Sequence, residues 1–273
     1  MNQDKVKIQL SGVSETLLLP LWARAQCSSG HHLPLNDTKA IELVENIDYD
    51  FSKIDKAFGF ESLLINTART KQFDNKIKAY IAEHSHASVI NLGAGLDTTF
   101  YRVDNGLIHW YDLDLPMVID IRRQLLPEPD RVTYISKSLF DPSWCEDIEH
   151  TEGGVFMIAG GLFYYFEESQ VKQFFSLLAD NLPSSEIAFD VVSKLSAFFS
   201  IWSARRMGIH GVRAKWAIKN ADKMTKWDKR ITVIDQFPMF KNIARDPAWG
   251  SQIKRRMDWM DKSGMFKIFH VRV

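Results

Sequence analysis

The chain has 273 residues, is 45% apolar, and sets 34 Lys and Arg against 34 Asp and Glu for a formal charge of zero. That length buries one sizeable α/β core with an added lid, and the charge balance excludes the basic excess on which nucleic-acid binders rely. Two distant cysteines, Cys27 and Cys145, exclude a disulfide framework and a Cys-x-x-Cys zinc site.

In chain order, residues 1–86 read as a helical cap. GVSETLLLPLWARAQ carries Leu17, Leu18, Leu21, Trp22 and Ala25 at helical spacing, with Pro20 as a kink inside the pattern. CSSGHHLPLND breaks the helices, DTKAIELVENI is predicted to be a helix capped by Asp37, and KQFDNKIKAYIAEH is a further helix running into a strand at 88–93. After the turn Gly93-Ala94-Gly95 come a helix from about Thr98, a strand at 107–111, a helix through MVIDIRRQLL, a strand VTYIS and a short helical SWCEDI. A strand VFMIAGG, a helix from near Glu167 through QVKQFFSLLADNL and a strand SEIAFDVV follow.

This alternation predicts an α/β fold with a mostly parallel sheet, its core spanning 87–193. Residues 194–229, aromatic and basic, are expected to form a helical lid, and 230–273 to close the sheet with strands near RITVIDQF and MFKIFHVRV, the last antiparallel. The basic clusters at Lys223–Arg230 and Lys254–Arg256 are interleaved with Asp222, Asp228 and Asp258 and read as solvated helix faces. The pair His31-His32 has no ligand spacing with another His, Asp or Glu, so no metal is expected. MNQDKVKIQL lacks the apolar core of a signal peptide and no apolar run approaches the roughly 20 residues of a membrane span; a cytoplasmic protein without a membrane partner is expected.

Chemistry enters at SVINLGAGLDTTFYRV. Two glycines let the backbone approach a ligand, and the helix after them points free N–H groups toward it, as a nucleotide-like cofactor requires. The dinucleotide fingerprint asks for a small residue where Thr98 stands, which argues against a pyrophosphate. At the carboxyl end of the next strand Asp112 and Asp114 lie two residues apart, hence on one side. An acid there in a doubly wound sheet accepts hydrogen bonds from ribose hydroxyls. Asp114 is the preferred residue and spacing leaves Asp112 open; a strand-end charge or a helix cap ahead of Pro116 is the alternative for either.

NLGAGLDTTFYR and YDLDLP resemble the S-adenosylmethionine-dependent methyltransferases of the leucine carboxyl methyltransferase family. TLLLPLWARA, IDYDFSKID and LINTARTKQFD are similar to its tetracenomycin polyketide O-methyltransferase-like branch, over roughly residues 14–190. The resemblance implies a Rossmann-like class I methyltransferase sheet and S-adenosylmethionine as cofactor, with S-adenosylhomocysteine as product. The acceptor it implies is a carboxylate or hydroxyl of a small molecule. A protein C-terminal carboxylate is the alternative acceptor, and a catalytically silent cofactor-binding or interaction protein the alternative without chemistry.

The resemblance also places the cofactor's carboxylate on Arg69 of INTART, where a guanidinium grips it bidentately, with Arg24 as a second candidate. Gly93, Ala94 and Gly95 supply the turn, and Asp97 caps the helix or holds the loop. Where the family carries Asp-Leu this chain has Ser138-Leu139, a hydroxyl and a backbone N–H for the adenine. Where the family carries Ala-Glu it has Ala159-Gly160, which leaves the methionine amine to another partner. Transfer to a carboxylate needs no base; for a hydroxyl acceptor Tyr164, His109 and His210 are the candidates. Arg205 and Arg206, near Phe198, Phe199 and Trp202, are expected to receive an aromatic acid.

Overall fold

The structure, a computed structural model, describes residues 5–8, 17–29, 35–57, 59–149, 153–194, 196 and 214–273. Phe198, Phe199, Trp202, Arg205, Arg206, His210 and the pair His31-His32 lie outside the described residues.

Ahead of the sheet come α1 (Leu18–Ser29), α2 (Thr38–Asn46), α3 (Ser52–Ala57) and α4 (Phe60–Glu83). Asp37 caps α2, its carboxylate accepting from the Ala40 N–H at 3.0 Å. Pro20 does not kink α1, because the helix starts at Leu18 and the proline falls in the first turn, where an N–H has no intrahelical partner. α4 starts at Phe60, well before KQFDNKIKAYIAEH, so Arg69 stands on a helix one turn ahead of Phe73.

The strands are β1 (Ser88–Leu92), β2 (His109–Asp114), β3 (Val132–Ser136), β4 (Val155–Ala159), β5 (Glu186–Val192), β6 (Thr232–Pro238) and β7 (Phe266–Arg272). They form one sheet ordered β3-β2-β1-β4-β5-β7-β6. The pairs among β1 to β5 are parallel, and β7 runs antiparallel to both β5 and β6. Chain order reverses between β1 and β4, and in such sheets the carboxyl ends at the reversal open a crevice for ligand. The connecting helices are α5 (Phe100–Val103), α6 (Pro116–Leu125), α7 (Glu168–Asn181) and α8 (Ser251–Ser263).

Three further expectations are corrected. The second strand covers 109–114, not 107–111, because the Asn105 side chain accepts from the N–H groups of Leu107 and Ile108 at 2.9 and 3.0 Å and holds both in the preceding turn. The helix expected from Thr98 is a single turn, Phe100–Val103. Over residues 214–229 the expected lid is not α-helical: Lys215 and Trp216 donate backbone bonds to the Tyr164 carbonyl, and Ala221–Lys226 is a 3-10 turn capped by Asn220.

Each face of the sheet is covered. One buries Ile90, Leu113 and Phe189 against Phe174 and Leu178 of α7. The other buries Val89, Trp110, Ile158 and Ile268 against α4 and α8. α1 to α3 pack on Leu96 and on Val118 and Ile121 of α6, which sets the cap against the loop after β1.

Candidate functional site

Side chains alternate across a strand, so every second residue shares a face. On the α4 side, Val89 is followed by Asn91 and Gly93, Trp110 by Asp112 and Asp114, Ile158 by Gly160, and Ala188 by Asp190. The face is apolar in mid-sheet and polar or bare at the carboxyl edge. A cavity of about 240 Å³ opens at that edge, lined by Arg24, Arg69, Gly93, Gly95, Asp114 and Gly160 among others.

Gly93 and Gly95 have φ of +65° and +49°, in the left-handed region that glycine enters without a steric penalty. A Cβ on Gly93 would lie 2.8 Å from Leu162 Cδ1. The amides of the turn are not aimed at a ligand: Gly93 and Ala94 donate to the Leu113 carbonyl at 2.8 and 3.2 Å, and Gly95 donates to Asp114 Oδ2 at 2.8 Å. What the turn provides is close approach, and a fixed seat for Asp114. The Asp114 carboxylate also accepts from the Leu115 N–H at 2.7 Å, and burial, opposed by these two bonds, pushes its pKa up. Each oxygen retains acceptor capacity beyond its one backbone bond.

Arg69 enters the cavity from α4. Its Nη2 donates to Asn66 Oδ1 at 2.9 Å, and its Nη1 lies 3.5 Å from Asp190 Oδ2. Burial works against its charge, but Asp190, Tyr164 and Tyr165 outweigh burial and raise its pKa. Tyr164 and Tyr165 stack edge to face at 4.7 Å and line the same cavity. Burial, helped by Tyr165 and Asp190, holds the Tyr164 phenol well above its usual range; Tyr165 is raised chiefly by burial. Both are hydrogen-bond donors at neutral pH and poor bases.

The loop after β1 is tied to the cap by buried charges. Asp37 Oδ2 receives Arg24 Nε at 3.1 Å, the Thr98 hydroxyl at 2.7 Å and Arg102 Nη1 at 2.6 Å, while Arg102 also grips Asp74 through two bonds of 2.9 Å. Arg24 donates to the Leu96 carbonyl at 2.8 Å and lies 3.5 Å from Asp97 Oδ1, which makes it a staple of the loop; burial lowers its pKa. Asp97 holds the loop, accepting from the Thr99 N–H at 3.2 Å and from Asn91 at 3.3 Å. Burial tends to raise its pKa, but Arg24, Arg102, the Thr99 bond and Arg122 prevail and hold it at about 2.

Four expected residues are not brought to the cavity. Asp112 is fully buried, paired with Arg122 at 2.6 Å and bonded by Trp110 Nε1 at 2.9 Å and Asn91 at 3.0 Å, so its carboxylate faces the interior. Ser138 accepts from the Phe140 N–H at 3.3 Å, and the Leu139 carbonyl takes Trp144 Nε1 at 3.1 Å; the turn after β3 closes on itself and both residues stand outside the lining. His109 is the first residue of β2, in register with Ser88, and so lies at the edge of the sheet opposite the cavity. Among the described residues no group of three His, Cys, Asp or Glu side chains is placed to hold a metal. Asp190 was not anticipated, although an acid inside the otherwise apolar run IAFDVV was its signal.

Comparison with known proteins agrees with this geometry. A family model described as leucine carboxyl methyltransferase matches residues 34–179. The chain is 32% identical over 214 residues, 78% of each chain, to the tetracenomycin polyketide synthesis O-methyltransferase of Streptomyces glaucescens. It is 30% identical over 216 residues, 71% of each chain, to an S-adenosyl-L-methionine-dependent methyltransferase of Gibberella zeae. In fold it is similar to a crystal structure assigned as a methyltransferase from Thermobifida fusca, with a TM-score of 0.60 at 14% identity over 94% of this chain and 97% of that one. A DUF574 family protein from Streptomyces avermitilis gives 0.59 at 11% identity over 96% and 98%. With the sheet order, the glycine turn and the acid facing it already in place, the chain belongs to the leucine carboxyl methyltransferase family.

Proposed function

We propose that this chain is an S-adenosylmethionine-dependent O-methyltransferase acting on a small molecule, built as one catalytic unit with its cap and working in the cytoplasm. The observation that carries the reading is Asp114, seated by Gly95 at the end of β2 with acceptor capacity left over, across one cavity from Arg69. The donor set fits the cofactor. Asp114 would take the ribose hydroxyls, Gly93 to Gly95 would admit the ligand at close range, Arg69 would hold the carboxylate, and Gly160 would offer backbone groups alone. When bound, the cofactor supplies an electrophilic methyl group on a positive sulfur.

The protein's part is to align the acceptor, exclude water and keep protons where they are. Among the described residues, those lining the cavity include no histidine, lysine, cysteine or glutamate. Asp97 is held too acidic to be a base, and the tyrosines are held protonated. A site so furnished suits an acceptor that arrives already ionised, a carboxylate in preference to a hydroxyl. No helix among the described residues is long and apolar enough to cross a membrane.

The test is transfer of a labelled methyl group from S-adenosylmethionine to panels of small carboxylic acids and phenols, with alkaline hydrolysis of the product. Label released by mild base from an acid substrate supports the reading. Tight cofactor binding with no transfer to either panel favours the silent alternative, and label on phenols alone overturns the preference for a carboxylate.

A further inference from the structure

Asp190 stands beside this site without any part in the steps above. It is 4% exposed, in a strand whose neighbours Phe189 and Val191 are buried apolar residues. Ala159 pairs with Phe189, so Asp190 comes alongside Gly160 on the α4 side of the sheet. Its Oδ1 accepts the Gly161 N–H at 2.6 Å and its Oδ2 faces Arg69 Nη1 at 3.5 Å. Gly161 is left-handed, with φ of +74°, and a Cβ there would stand 2.8 Å from Arg69 Nη1 and 3.1 Å from the Tyr164 hydroxyl. No side chain fits between that turn and the guanidinium. At position 160 a Cβ would meet the Phe73 ring at 3.0 Å, so a side chain there requires that ring to give by a few tenths of an ångström. The acid paired with Arg69 is delivered from the neighbouring strand.

We infer that Asp190 is a positioning residue, holding Arg69 and the Gly160–Gly161 turn in one arrangement so that the guanidinium meets the cofactor's carboxylate already oriented. The inference rests on the role given to Arg69 above. Asp190 itself lies outside the cavity lining. An unpaired arginine on a helix samples many rotamers and must be ordered on binding; Asn66 on one nitrogen and Asp190 on the other remove most of that freedom beforehand.

The experiment compares Asp190→Ala, Asp190→Asn and Asp190→Glu with the parent protein by calorimetric titration of S-adenosylhomocysteine and, separately, adenosine. Adenosine has no carboxylate and serves as the control. Asp190→Ala is expected to weaken S-adenosylhomocysteine by about tenfold or more, the size of one lost charge-assisted contact, while adenosine binds as before. Asp190→Glu is expected to recover part of the loss, and Arg69→Ala added to Asp190→Ala to cost little further. Equal loss of both ligands, or unchanged binding of S-adenosylhomocysteine, overturns the proposal. A ligand-free readout separates it from the cofactor reading: phenylglyoxal labelling of Arg69, mapped by mass spectrometry, is expected to be several-fold faster in Asp190→Asn, a variant that keeps an acceptor for Gly161. If the parent protein binds neither ligand, the cofactor reading falls and the labelling decides alone: faster modification supports the positioning role and equal rates reject it.

Discussion

Asp112 and Asp114 share a face of β2 two residues apart, and their surroundings give them opposite uses. Asp112 is locked to Arg122 in the interior, whereas Asp114 sits at the mouth of the cavity. Asp114→Ala is expected to weaken S-adenosylmethionine binding by about 1–3 kcal/mol with folding stability near the parent value, as calorimetry and urea unfolding would show. Asp112→Ala strands a buried guanidinium and is expected to cost about 3–5 kcal/mol of stability. Asp97 makes a third case, on pH. Its folded pKa of about 2 lies below the unfolded value, so its contribution is complete above roughly pH 4 and is lost as pH falls toward 2. Asp97→Asn is expected to flatten the acid limb of stability against pH over that window. At this scale the sequence shows which residue types can do the chemistry, but not which of two acids on one face is enclosed. That depends on Arg122, which reaches β2 from a helix ten residues further along.

Elements were legible where local chemistry decides them: the Asp37 cap, the start of α7 near Glu167, and the apolar runs of β1, β4 and β5. They were misjudged where a side chain competes with the backbone, as Asn105 does in delaying β2. The joint between cap and core was also hidden, because Arg24, Asp37, Asp74 and Arg102 come from four separate segments and meet only in the folded chain. Arg102→Ala leaves Asp37 and Asp74 buried with one partner fewer; it is expected to cost about 3–5 kcal/mol and to expose α1 and α2 to limited proteolysis before the sheet is cut. Gly95→Ala, placing a side chain at positive φ, is expected to cost about 1–2 kcal/mol and to weaken cofactor binding, since Asp114 takes its seat from that residue's N–H.

For the whole molecule, alternation of strands and helices with a final alternating strand was enough to anticipate an α/β sheet of this class, because parallel pairing requires crossovers and the antiparallel closure does not. The acceptor is a property of the assembled cavity, and no single segment announces it. Methyl transfer to a carboxylic acid is expected to show no basic-group limb between roughly pH 6 and 9 in a rate profile at saturating cofactor; a limb near neutrality would point to a base outside the described lining. The placing of β7 has a consequence for biosynthesis. Residues 266–272 insert between two strands translated earlier, so β5 and β6 keep raw edges until β7 has been made. This part of the sheet therefore closes only when β7 arrives, and until then the nascent chain is open to sticking to its neighbours.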